Sequence, residues 1–87
     1  MNFSVYIIKD KKAGYQPVLY TFQNDDIAKR WFYQFYHDAV DSHPNAPIVA
    51  FPADFELYRI ATFYSDNAVI DNSDNLFIAC ADEFQGV

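Results

Sequence analysis

The sequence predicts an α+β fold: one antiparallel β-sheet of four to five strands with a single amphipathic helix packed on it, in ββαββ order. Three observations carry this. Short runs rich in β-branched and aromatic residues lie on both sides of a central segment, as strands would. That central segment repeats its apolar residues every three or four positions, as a helix does. Turn-forming residues separate the runs.

The first strand is read over Phe3 to Ile8 (FSVYII). Phe3, Val5 and Ile7 fall on one face, Tyr6 and Ile8 on the other. Two apolar faces suit a central strand, or an edge that pairs with something. The stretch KDKKAGYQP follows, with Gly14 supplying a permissive turn and Pro17 restricting entry to the next strand. Val18 to Phe22 then reads as the second strand, closing a hairpin with a long basic turn.

Asn24 is a favourable N-cap, and Asp25 and Asp26 place carboxylates where the helix dipole welcomes them. The helix is expected to continue to about Ala39. Ile27, Ala28, Trp31, Phe32, Phe35 and Ala39 make its apolar stripe, flanked by Tyr33 and Tyr36. Lys29, Arg30, Gln34 and His37 fall largely off the stripe.

Residues 41–54 hold three prolines, Pro44, Pro47 and Pro52, and read as a long connection pinned to the core by Ile48, Val49 and Phe51. Phe55 to Tyr64 alternates cleanly. Phe55, Leu57, Arg59, Ala61 and Phe63 share one face; Glu56, Tyr58, Ile60, Thr62 and Tyr64 share the other. A turn at Ser65 to Asn67 leads to a short strand over Ala68 to Ile70. DNSDN is a polar loop, Leu76 to Ala81 a last strand or short helix, and 82–87 a tail expected to fray. The 87 residues fit a single domain over 1–87.

Hydrophobic residues make up 52% and aromatics 20%, ample for a core. The rings exceed what one small core needs. Trp31, Phe32, Phe35, Phe55 and Phe63, with Leu57, are assigned to the core, and the tyrosines are left as surplus for a surface or interface. A net charge of −6 disfavours strong non-specific binding to phosphate backbones. The single Cys80 cannot form an intramolecular disulfide and suits a reducing compartment; beside Ile78 and Ala79 it reads as a buried, inert thiol. No basic leader and no apolar run near the roughly 20 residues of a membrane span are present, so a cytosolic protein without a membrane partner is expected.

Chemistry-bearing constellations are sparse. His37 and Asp41 could share a helix face with His43 nearby, but no third ligand has metal-site spacing. Asp71, Ser73 and Asn75 echo the start of a calcium loop, yet Leu76 stands where its turn glycine belongs. Ser42 abuts His43 in sequence without an orienting group. Gly14 and Gly86 alone cannot build a phosphate loop. No enzyme, cofactor, metal or small-molecule substrate is expected.

The remaining feature is where the bases sit. Lys9, Lys11 and Lys12 cluster at the first turn, Lys29 and Arg30 lie on the helix, and Arg59 lies mid-strand beside Tyr58. Bases interleaved with exposed rings suit single-stranded nucleic acid, because every base offers a face for stacking. The competing reading is ordinary solvated charge, with Arg59 pairing a carboxylate such as Glu56 or Asp54.

Together, KDKKAGYQP, NDDIAKRWF and FPADFELYRIATF resemble the small nonstructural protein of gokushovirus-type microviruses, which are single-stranded DNA phages. The carrying residues are Asn24, Asp25, Ala28, Arg30 and Phe32 at the helix start, and Pro52, Asp54, Phe55, Leu57 and Tyr58 entering a strand. The resemblance spans about Tyr6 to Ile70. It departs at Asn67-Ala68, where such proteins often carry Gly, and in the length of the segment between helix and signature. It implies a non-virion accessory protein in the host cytoplasm, acting in single-stranded genome synthesis or its coupling to packaging. No cofactor or catalytic residue comes with it. The partners to expect are single-stranded DNA, phage replication or capsid proteins, and a second copy in a homodimer. The alternative function is an acidic homodimeric interaction module that binds a phage or host protein without touching nucleic acid.

Overall fold

The computed structural model describes residues 1–72 and 75–86. Ser73 and Asp74, within the expected polar loop and calcium-loop echo, lie outside the described residues, as does Val87 of the tail. The described elements are β1 (Asn2–Asp10), β2 (Gly14–Phe22), α1 (Asp25–Ser42), α2 (Pro47–Ala50), a 3-10 turn (Pro52–Asp54), β3 (Phe55–Tyr64), β4 (Val69–Asp71), β5 (Leu76–Cys80) and a second 3-10 turn (Ala81–Phe84). The five strands form one antiparallel sheet in the order β2-β1-β3-β4, with β5 also pairing β3. This is the α+β architecture the alternation predicts.

Helix α1 starts where its cap predicts: the Asn24 side-chain oxygen accepts from the Ile27 N–H at 2.9 Å. It covers one face of the sheet. Between them Tyr6, Ile8, Leu57 and Ala79 of the strands meet Ala28, Phe32 and Tyr36 of the helix, closed at the rim by Ile48 and Phe84. Burying several large rings and aliphatic side chains stabilises by about 1.5–3 kcal/mol each before entropy is counted.

Several details differ from the sequence reading. The helix stripe is rotated toward Tyr36: Ala28, Phe32 and Tyr36 are buried, Trp31, Phe35 and Ala39 are half-buried, and Ile27 is exposed. Tyr6 and Tyr36 are core, not surplus. The helix runs on to Ser42, and the proline-rich connection is organised by α2 and a 3-10 turn, each opening on a proline whose missing N–H costs nothing there. Residues 81–84 form a 3-10 turn held by Glu83, whose Oε2 accepts from the Cys80 N–H at 2.7 Å; Phe84 is buried against Phe32.

The largest departure is in β3. Val5 pairs with Ala61 but Tyr6 pairs with Arg59, so Ile60 is an extra residue, a β-bulge. Side-chain parity flips across it. Leu57 and Arg59 keep to the helix side, whereas Ala61 and Phe63 point to the other face with Val5 and Phe3. Phe63 therefore leaves the core to which its spacing assigned it. A second irregularity falls in β2, where Gln16, Pro17 and Val18 span the gap opposite Ile8; Pro17 has no N–H to give the ladder and sits on this edge strand.

Candidate nucleic-acid interface

Among the described residues, no element covers the sheet face opposite α1. Strand register divides its side chains into rows across the sheet. The first row is Phe3, Phe63 and Ile70. The second is Thr21, Val5 and Ala61. The third is Leu19, Ile7, Tyr58 and Phe77. The fourth contains Tyr15, Lys9 and Glu56. The first three rows are uncharged. Leu19 and Ile70 are each 58% exposed and Phe77 45%, an unusual apolar display for a small domain.

Charge enters only at the fourth row. The Lys9 ammonium stands 5.4 Å from the Tyr15 ring centroid and 5.9 Å from that of Tyr58, a cation between two ring faces. Tyr15 and Tyr58 meet edge to face at 6.4 Å, and Phe77 meets Tyr58 edge to face at 5.8 Å. Lys11 and Lys12 extend this corner through the exposed β1–β2 turn, where Gly14 takes φ +96°. Lys11 Nζ lies 3.7 Å from Glu56 Oε2. Tyr58 Oη donates to Glu56 Oε1 at 3.3 Å. Partial burial and then the Glu56 charge push the Tyr58 phenol above its ordinary range, so the ring stays neutral.

Of the residues predicted from sequence, the fold thus gathers Lys9, Lys11, Lys12 and Tyr58. It places the others elsewhere. Lys29 lies on α1, with Nζ 3.5 Å from Glu83 Oε1, and Arg30 is exposed on the same helix. Arg59 points to the helix side, where its Nη1 donates to Asp25 Oδ2 at 2.7 Å. Asp25 Oδ1 in turn accepts from the buried Tyr6 hydroxyl at 2.6 Å. Arg59 is therefore tied into the helix–sheet joint through Asp25, a carboxylate the sequence reading did not name. Sequence reasoning missed Tyr15 and Phe77, which β2 and β5 bring in by register.

The sequence profile of the Phage ORF5 protein family matches residues 3–84, nearly the whole chain. The chain belongs to this family. No curated protein and no solved structure matches it. The family match reaches beyond the resemblance read from sequence to include β5 and the Ala81–Phe84 turn, so the C-terminal packing belongs to the matched unit. A phage protein is also what the microvirus resemblance implies.

Elsewhere the described residues offer little chemistry. Among the described residues no three His, Cys, Asp or Glu side chains gather where a metal ion could be held. No described helix is long and apolar enough to cross a membrane. Cys80 Sγ donates to the Pro52 and Ala53 carbonyls, and burial raises its thiol above the ordinary range, which disfavours the reactive thiolate. A cavity of about 360 Å³ lies between the end of α1 and α2, lined by Phe35, Asp38, Ala39, Ser42, His43, Ala46 and Ile48.

Proposed function

We propose that this phage protein is a non-enzymatic accessory factor that works on a single-stranded viral genome in the host cytoplasm, in its synthesis or its coupling to packaging. It meets single-stranded DNA weakly through the Lys9 corner of the uncovered sheet face. The carrying observation is Lys9 held over the Tyr15 and Tyr58 rings on an uncovered surface, with Lys11 and Lys12 adjoining. Rings offer bases a stacking platform and the lysines follow the backbone. Three lysines predict a salt slope near about −2 on a log–log plot of affinity against salt.

Fluorescence anisotropy with a labelled oligo-dT at low salt tests this. Micromolar affinity is expected, weakened roughly tenfold by Tyr58→Leu, which removes a stacking face worth about 1–3 kcal/mol. Arg59→Met should leave the affinity of the folded protein unchanged. Absence of binding at several hundred micromolar protein would refute direct contact. The second reading, a protein-interaction module, is favoured by the three uncharged rows, which are more than a DNA contact requires.

A further inference from the structure

We propose that in the absence of DNA the uncovered face is occupied by a second copy of the same chain, stacked sheet on sheet, and that single-stranded DNA competes with this partner for the Lys9 corner. The competition rests on the DNA reading above; the pairing of copies does not.

Charge placement argues for self-pairing. The chain carries −6, which would keep two copies apart if spread evenly. It is not spread evenly. Asp25, Asp26, Asp38 and Asp41 all sit on α1, behind the sheet. Among the described acidic residues, Glu56 alone lies in the four rows, and Lys9 is its register partner on the neighbouring strand. Within the four described rows the charges of Lys9 and Glu56 therefore cancel.

That adjacency also fixes a symmetry. A two-fold axis running along the strands between β1 and β3 sets Lys9 of each copy above Glu56 of the other. Two ion pairs then form across the interface, while the uncharged rows meet one another. Sheets stacked this way keep their strands within about 30° and their backbones about 10 Å apart. An axis over β1 or over β3 instead sets Lys9 above Lys9 or Glu56 above Glu56, like charges that repel.

Area bounds the strength. Four strands about 4.8 Å apart and four rows about 6.7 Å apart give a footprint of about 500 Å² per copy, or about 1,000 Å² for the pair. Stable interfaces start near about 1,000–1,200 Å². The dimer is thus concentration-dependent, with dissociation in the micromolar range, and a ligand on the same face can displace it.

Sedimentation velocity from 5 to about 500 µM, without and with excess oligo-dT, tests both parts. The 10.1 kDa chain should shift toward twice its mass as concentration rises. Leu19→Glu with Ile70→Glu should hold it monomeric at every concentration; both positions are 58% exposed, so the fold should tolerate the change, checked by circular dichroism. Lys9→Glu should weaken pairing at least tenfold, and Lys9→Glu combined with Glu56→Lys should restore it. Oligo-dT should return the wild type to monomer. A chain that stays monomeric throughout, or a dimer indifferent to Leu19→Glu with Ile70→Glu, overturns the pairing. A dimer that binds oligo-dT without dissociating overturns the competition. A dimer that binds no oligo-dT overturns the DNA reading and the competition, and leaves the pairing standing.

Discussion

Replacing Tyr6 with Phe isolates one hydrogen bond at the joint between α1 and the sheet. Tyr6 is fully buried, and its hydroxyl donates to Asp25 Oδ1 at 2.6 Å. Phe keeps the ring, so no cavity opens and the packing against Phe22 at 5.8 Å survives. What is lost is a hydrogen bond to a carboxylate, worth about 1.5–3 kcal/mol when the acceptor is shielded. Asp25 is 36% exposed and retains Arg59, so water can replace part of the loss. The expected cost is therefore about 1–1.5 kcal/mol, or roughly 4–12 °C in Tm for a domain of this size. Urea melts followed by circular dichroism at pH 7 measure it. A variant within a few tenths of a kcal/mol of wild type would refute the reasoning.

The same pair should respond to alkali in a defined way. The Tyr6 hydroxyl, ordinarily at 10.0, is raised in the fold, first by burial and then by its bond to Asp25. The unfolded chain consequently loses this proton at lower pH than the native one. The stabilisation is complete below pH 10 and is lost as pH rises toward the native value, at up to about 1.4 kcal/mol per unit. Tyr6→Phe has no such proton to lose. The advantage of wild type should vanish at about pH 11. A gap that widened above pH 10 would contradict the assignment.

Two further outcomes test the elements around this joint. Asn24→Ala removes the oxygen that accepts the Ile27 N–H and should cost about 1 kcal/mol by urea denaturation, with Asn24→Gly costing less. Phe84→Ala should cost about 3–5 kcal/mol, because the ring is buried against Phe32 and Tyr33; a loss under about 1 kcal/mol would return this segment to a frayed tail.

How much of this was legible follows from which interactions are local. The cap at Asn24, the helix and the β1–β2 hairpin arise from neighbours in sequence, and all three could be read directly. The bulge at Ile60 could not. FELYRIATFY can be read as one unbroken alternation only by setting Arg59 on the apolar face and Ile60 on the polar one, and that mismatch does not by itself specify an extra residue. The register of β1 against β3 decides it, placing Arg59 toward Asp25 and Phe63 beside Phe3 on the open face. Arg59 was readable in part, since parity already set it with Phe55 and Leu57 on the side that became core. Phe84 was masked by its acidic neighbours, whose charge suggested a tail while Glu83 was closing a turn.

The candidate site divides the same way. Lys9, Lys11 and Lys12 are neighbours along the chain, so their cluster was visible. Tyr15 could have been found by folding the hairpin about residues 11–13, which sets it opposite Lys9. Phe77 could not, because β5 reaches Tyr58 across a gap of nearly twenty residues that no local pattern fixes. Net charge was the weakest guide. The value of −6 sums over helix, turns and sheet alike, whereas a ligand or partner meets one face at a time. On the proposed DNA reading, the limit on contact is local supply: three lysines at one corner, with Glu56 already drawing on Lys11. On that reading the same scarcity implies a switchable contact and not a tight one, because three phosphate contacts would be readily displaced by salt or by a second apolar face.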